Sequence, residues 1–241
     1  MDNSTRLQYL EAMGIDVWVS RKSAPVEELQ NIDETSLQFI EQAEQQSEVD
    51  DWTVLQKQVA ECQRCDLCNT RTQTVFGAGN KNADWMLIGE APGQDEELEG
   101  KPFVGQAGLL LTEMIRAIGL ERDSVYIANL LKCRPPNNRD PKVEEVKACH
   151  DYLLQQITLI KPKIILAVGR IAAQTLLETS EPLSKLRGRP HQLMGIPLVV
   201  VYHPAYLLRS LLEKRKAWQD LQMAIKVYQE KNNNEYMEVS R

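Results

Sequence analysis

No apolar run in this chain approaches the roughly 20 residues that a membrane-spanning helix needs, so no membrane span is expected. The opening residues, Met1-Asp2-Asn3-Ser4-Thr5-Arg6, lack an apolar segment behind a basic start, and no secretory signal is expected either. Both absences point to the cytoplasm, in a bacterial cell the cytosol and nucleoid, where thiols stay reduced and clustered cysteines more often bind metal than pair. No internal repeat is found. Aromatic residues make up only 6%, with three phenylalanines, and there are three histidines.

Basic residues are nearly missing from one end. Residues 1–51 hold 12 acids against Arg6, Arg21 and Lys22, a net charge of −9. Since the whole chain carries −6, residues 52–241 keep 25 bases and 22 acids, a net of +3. The overall charge therefore hides a mildly basic part that can meet a phosphate backbone. Within the acidic end, Leu7, Leu10 and Met13 are spaced for one short amphipathic helix ended by Gly14. Residues 22–51, rich in Glu, Gln, Ser and Asn, read as a linker. Three regions are expected: an acidic extension over 1–51, a folded domain over 52–229, and a polar tail over 230–241.

What the chain does have is length and apolar content, 241 residues and 43%, enough for a full core. Four short runs, Trp85–Ile88, Val125–Ala128, Ile164–Val168 and Leu198–Tyr202, are continuous and largely aliphatic. Such runs suit a parallel sheet covered on both faces. Helical stretches are expected at Trp52–Ala60, Gly105–Ile118, Pro141–Ile160, Arg170–Leu177 and Lys214–Gln229. The alternation predicts an α/β fold of three layers, α/β/α, around a mainly parallel four-stranded sheet. The strands run into Gly89–Gly93, Asn129, Gly169-Arg170 and His203-Pro204, and these ends should line one edge, where ligands of such sheets bind.

Four of the five cysteines form a pattern: Cys62 and Cys65 as a C-x-x-C pair, Cys133 and Cys149 with fifteen residues between them. Four thiolates from two regions suit an iron–sulfur cluster or a tetrahedral zinc, and the spacing alone does not separate them. Cys68 could stand in for Cys65, and free buried thiols are the plainer reading of the set.

These residues sit inside a recognisable signature. In order along the chain come Cys62–Arg71 (CQRCDLCNTR), Val75–Gly79 (VFGAG), Gly89–Gly93 (GEAPG), Gly100–Gly108 (GKPFVGQAG), Tyr126–Pro136 (YIANLLKCRPP) and His203–Arg209 (HPAYLLR). Across residues 52–228 the chain resembles the type-4 uracil-DNA glycosylases, the iron–sulfur branch of their superfamily. The resemblance implies a [4Fe-4S] cluster on Cys62, Cys65, Cys133 and Cys149. It also implies excision of uracil from single- or double-stranded DNA, as in base-excision repair.

The resemblance gives the residues roles that make chemical sense. An enzyme acting on a base must extrude it, stack it and read its edge. Phe103 would be the stacking ring, although a core position is the commoner one for any Phe. Asn129 offers the donor and acceptor an imide edge needs, and otherwise would be a turn residue. His203 would donate to uracil O2 as charge develops on the leaving base; the plainer reading is a histidine satisfied by backbone. Glu90, Ala91 and Glu96 would shape the pocket, Glu96 by crowding the methyl group of thymine. Ala91 stands where another branch places an Asp to position water, which favours leaving-group stabilisation over water activation. Leu207 would wedge into the stack and Arg209 would contact phosphate, unless Leu207 and Leu208 begin a helix facing the core. Arg187, with Lys185, Arg189, Arg134 and Arg139, is a further phosphate candidate.

Two alternatives compete. One is a metal-containing nucleic-acid-binding module without catalysis. The other concerns residues 1–20, which resemble the partner-binding N-terminus of the psi subunit of bacterial DNA polymerase III and would tether a replication protein. The branch of the superfamily that crosslinks covalently to DNA carries a basic, histidine-containing insert that this chain lacks.

Overall fold

The computed structural model describes residues 51–239, with side chains through residue 233. The amphipathic segment and linker expected before residue 51 lie outside them. Among the described residues the first helix is α1, covering 51–60, so Asp51 belongs to it. A cysteine-bearing segment follows, with a short 3-10 turn at Asp66–Asn69. The remaining elements are β1 (Ala78–Gly79), β2 (Trp85–Gly89), α2 (Gln94–Glu99), α3 (Gln106–Ala117), β3 (Tyr126–Asn129) and α4 (Val143–Ile160). Then come β4 (Ile164–Val168), α5 (Arg170–Leu176), α6 (Leu183–Leu186), β5 (His191–Leu193), β6 (Ile196–Val201), α7 (Pro204–Arg209) and α8 (Lys214–Val239).

The sheet has six strands rather than four, in the order β1-β3-β2-β4-β6-β5. The four expected strands are its parallel centre. The two additions, β1 and β5, are antiparallel edges of two and three residues. They are too short and too exposed to produce an apolar run, so periodicity could not reveal them.

Alternation along the central strands explains the three layers, because successive side chains point to opposite faces. Met86, Ile88, Ala128, Ile165 and Val200 pack on one face with Leu153 and Ile157 of α4 and Ala172 and Ala173 of α5. Trp85, Leu87, Ile127, Leu166 and Val199 pack on the other with Leu111 and Ile115 of α3 and Leu221 of α8. Chain chemistry sets the helix ends. Glu145 accepts the Lys142 N–H at 2.8 Å to cap α4 at its start, and Lys161, left-handed at φ 52° before Pro162, ends it.

Two sequence expectations change. The acids after Gly93 form α2, where no helix is expected from the sequence; six residues carry too little periodicity to be read, but acids at a helix N-terminus are favourable. The last helix runs past Gln229 to Val239, because Asn232–Asn234 contain no Gly or Pro to break it and Asn costs a helix only tenths of a kcal/mol.

Candidate active site

The carboxyl ends of β2, β3, β4 and β6 open on a cleft of about 680 Å³. Glu90, Ala91, Glu96, Phe103, Asn129 and His203 all line it, so the structure brings together the whole set expected of the pocket. At its floor Gly89 pairs with Asn129 across β2 and β3. A Cβ on Gly89 would stand 2.6 Å from the Phe103 ring and closer still to Asn129 Oδ1. The strand can carry nothing larger there, because ring and amide both lie over it.

Asn129 is buried, and its Oδ1 has no partner within the described residues. Leaving a buried acceptor unpaired costs about 1–3 kcal/mol, and this one borders the cleft. Its backbone carbonyl accepts from Lys132 Nζ at 3.0 Å, and the same ammonium reaches Gln156 Oε1 at 2.6 Å. Gln156 in turn donates to the Phe76 carbonyl and the Tyr126 hydroxyl. A buried polar network thus fixes the end of β3.

His203 caps α7: its Nδ1 accepts the Ala205 N–H at 3.2 Å. Burial, with the nearby charge of Arg209, pushes its pKa down to about 4, against a weaker pull from Glu96. The ring is therefore neutral at physiological pH. With Nδ1 an acceptor, the proton sits on Nε2, which is a donor. The Phe103 and His203 rings lie 5.7 Å apart, tilted by 33°.

Phe103 occupies left-handed backbone at φ 54°, uncommon for an aromatic residue, so its neighbours must hold it. Arg122 donates to the Pro102 and Phe103 carbonyls at 2.7 and 3.0 Å. Glu96 accepts from Val104 and Gly105 through Oε1, at 3.1 and 3.3 Å, and from Gly93 through Oε2 at 3.0 Å. The two loops of the pocket are joined by this one carboxylate. Its neighbour Glu97, which is buried, accepts the Thr72 N–H at 3.0 Å and meets Arg134 at 3.4 Å, joining α2 to the cysteine segment.

Glu90 has its pKa pushed up to about 7, first by burial and then by Asp140, with Arg170 opposing. Ala91 packs against Leu67, Leu131, Cys133 and Cys149. The pocket loop thus rests directly on the cysteine patch. Cys62 packs nearby on Leu55, Val59 and Tyr152, and Arg71 donates to Cys133 Sγ at 3.3 Å. Burial raises the pKa of Cys65 and Cys149, and that of Cys133 to about 11. Cys68 turns aside, donating to Asn69 Oδ1 at 3.6 Å. Among the described residues, no three His, Cys, Asp or Glu side chains are drawn together closely enough for a single metal ion.

Two expected DNA contacts are corrected. Leu207 is 1% exposed and belongs to the core beneath α7; the apolar side chains left outside are Leu208, Leu211 and, at 92% exposure, Leu212. Arg187 is spent internally: Nε meets the buried Asp220 at 2.6 Å and the guanidinium lies 3.9 Å from the Tyr202 ring centre. Arg209 remains on the rim of the cleft, exposed. Arg139 is bound to Glu145 through both guanidinium ends, and Arg189 pairs with Glu181. Sequence reasoning missed Arg122, Lys132 and Glu97. Nothing in a linear pattern distinguishes such internally bonded side chains from surface charge.

No helix among the described residues is long and apolar enough to cross a membrane. The model of the uracil DNA glycosylase superfamily matches residues 76–222. The type-4 uracil-DNA glycosylase of Archaeoglobus fulgidus is 46% identical over 160 residues, 63% of this chain and 80% of that protein. Those of Thermotoga maritima and Saccharolobus solfataricus are 43% and 45% identical over 159 and 180 residues, covering 65% and 69% of this chain and 83% of each relative. With the parallel strand ends converging on Asn129 and His203, and relatives of this similarity over most of their length, the chain belongs to the uracil DNA glycosylase superfamily, among its type-4 members.

Proposed function

We propose that the cleft receives a uracil turned out of DNA and that the protein, a DNA-repair uracil-DNA glycosylase, hydrolyses the bond between uracil N1 and the sugar C1′. The observation that carries this reading is the buried, unpartnered Oδ1 of Asn129 beside a neutral histidine. Uracil's imide edge offers an N–H to Oδ1 and a carbonyl to the amide nitrogen. A site holding a buried acceptor of this kind rejects a base that cannot satisfy it. Phe103 gives the base a face, and its seat on Gly89 fixes ring and amide at one depth.

As the glycosidic bond breaks, its electron pair goes to uracil and the sugar becomes oxocarbenium-like. The Nε2–H of His203 is suited to the oxygen where that charge collects; one such donor contributes about 10²–10³ in rate. Water then adds at C1′ and loses a proton. Ala91 has no group to take it, whereas Glu90, with a pKa near 7, can. The products are free uracil and an abasic site. Arg209 is suited to phosphate at the rim, and Leu208, Leu211 and Leu212 take over the wedge role from Leu207.

The cysteines fit a [4Fe-4S] cluster held by Cys62, Cys65, Cys133 and Cys149. Support comes from the burial of Cys133 and Cys149 in one patch with Cys65 packed against it; four thiolates would equally serve a structural zinc, which is the alternative. When bound, the cluster would crosslink the α1 exit, the β3 exit and α4, a structural role. Incubating anaerobically purified protein with a uracil-containing oligonucleotide, followed by alkali, tests the activity; an uncut strand refutes it. A replication-protein partner for residues 1–20 is a separate proposal, which binding unchanged by deletion of residues 1–50 would end.

A further inference from the structure

A second groove, of about 550 Å³, adjoins the cleft and shares Glu90, His203, Ala205 and Arg209 with it. None of the roles given above uses its far side. There the rings of Tyr202 and Tyr206 stack with centres 5.1 Å apart and planes 29° from parallel. Tyr202 also carries the Arg187 guanidinium at 3.9 Å, and Arg187 is anchored to the buried Asp220. A run of planar groups therefore leads from a buried ion pair out to Tyr206, which is exposed. Arg209 and Arg170, the latter paired with Asp140 at 3.1 Å, line the groove together with Ser184 of the short helix α6.

We propose that this groove is a stacking site for the nucleotide adjoining the uracil in the same DNA strand, its base on Tyr206 and its phosphate near Arg209. The inference rests on the cleft being the uracil site. Continuity carries it: a strand that delivers its uracil past His203 must leave across the rim that the two cavities share. An exposed ring at the end of an anchored stack loses little freedom when a base settles on it. Stacking on an aromatic side chain accepts any base, because every base has a π face. The exposed Arg209 beside the ring adds a positive group to the aromatic platform, the two parts of a single-strand site.

The test uses single-stranded oligonucleotides with one uracil, carrying either a normal nucleotide or an abasic spacer at the 5′ or the 3′ neighbour. KM and kcat are measured for the wild-type protein, Tyr206→Phe and Tyr206→Ala. One of the two spacers is expected to raise KM about tenfold for the wild-type protein and for Tyr206→Phe, the scale of one stacked base. In Tyr206→Ala the ratio of spacer to normal KM should collapse towards one. Wild-type protein that excises uracil but ignores both spacers overturns the groove alone, as does a spacer ratio equal in the wild-type protein and Tyr206→Ala. Wild-type protein that leaves uracil in every oligonucleotide overturns the cleft reading, and this proposal with it.

Discussion

His203 Nδ1 accepts the backbone N–H of Ala205, and that single bond decides which nitrogen of the ring can serve a substrate. The proton is left on Nε2, and burial keeps a second one away until the pH falls to about 4. Replacing His203 with Ala should lower kcat by about 10²–10³ with DNA binding retained. Single-turnover rates beside a binding titration check it; equal losses in both would mean that the histidine only builds the fold.

The same residue predicts acid sensitivity. Its folded pKa of about 4 lies below the ordinary 6.5, so protonation favours the unfolded chain. Its contribution is complete above pH 6.5 and is lost as the pH falls towards 4. Thermal unfolding of the wild-type protein and His203→Gln across that window should converge as the pH drops.

Glu90 predicts a different pH dependence. If its carboxylate takes the proton from water, the rate rises through pH 7 as the group ionises. Glu90→Gln should flatten that limb and cost about 10² at pH 8. An unchanged limb in the variant would assign it to another group.

Glu96 holds three backbone donors from two loops. Glu96→Ala leaves them without that acceptor and should cost about 2–4 kcal/mol of stability, at about 1 kcal/mol for each bond. KM should rise as well, because the seat of Phe103 loosens. Denaturant unfolding and steady-state kinetics read the two effects separately.

For the cysteines, Cys133→Ala and Cys149→Ala should each abolish the brown colour of anaerobic preparations and lower the unfolding temperature. Cys68→Ala should do neither, since its thiol turns to Asn69. Iron and acid-labile sulfide in equal amounts in the wild-type protein support the cluster; zinc without sulfide would replace it.

Much of this arrangement was legible in the chain. The four central strands announced themselves as continuous aliphatic runs, and the polar residue at the end of each, from Gly89 to His203, marked the edge where the cleft lies. Arg187 and Leu207 were misread for one reason. A sequence gives the chemical character of a side chain but not which way the fold turns it: α7 turns Leu207 inward, and the end of α6 turns Arg187 onto Asp220. Arg122 left no linear signal because its partners are carbonyls of Pro102 and Phe103, twenty and nineteen residues away.

Glu96 and Glu97 are adjacent on a six-residue helix and serve opposite sides, one binding the pocket loops and the other the cysteine segment. An insertion or deletion of one residue within α2 would rotate both carboxylates by about 100° at 3.6 residues per turn and deprive each side of its acceptor together. Substitution at an outward position such as the exposed Leu98 leaves both sets of bonds in place. The helix tolerates new letters but not a new length, and anyone transplanting this pocket into another scaffold must carry all of Gly93–Gly105 as one block.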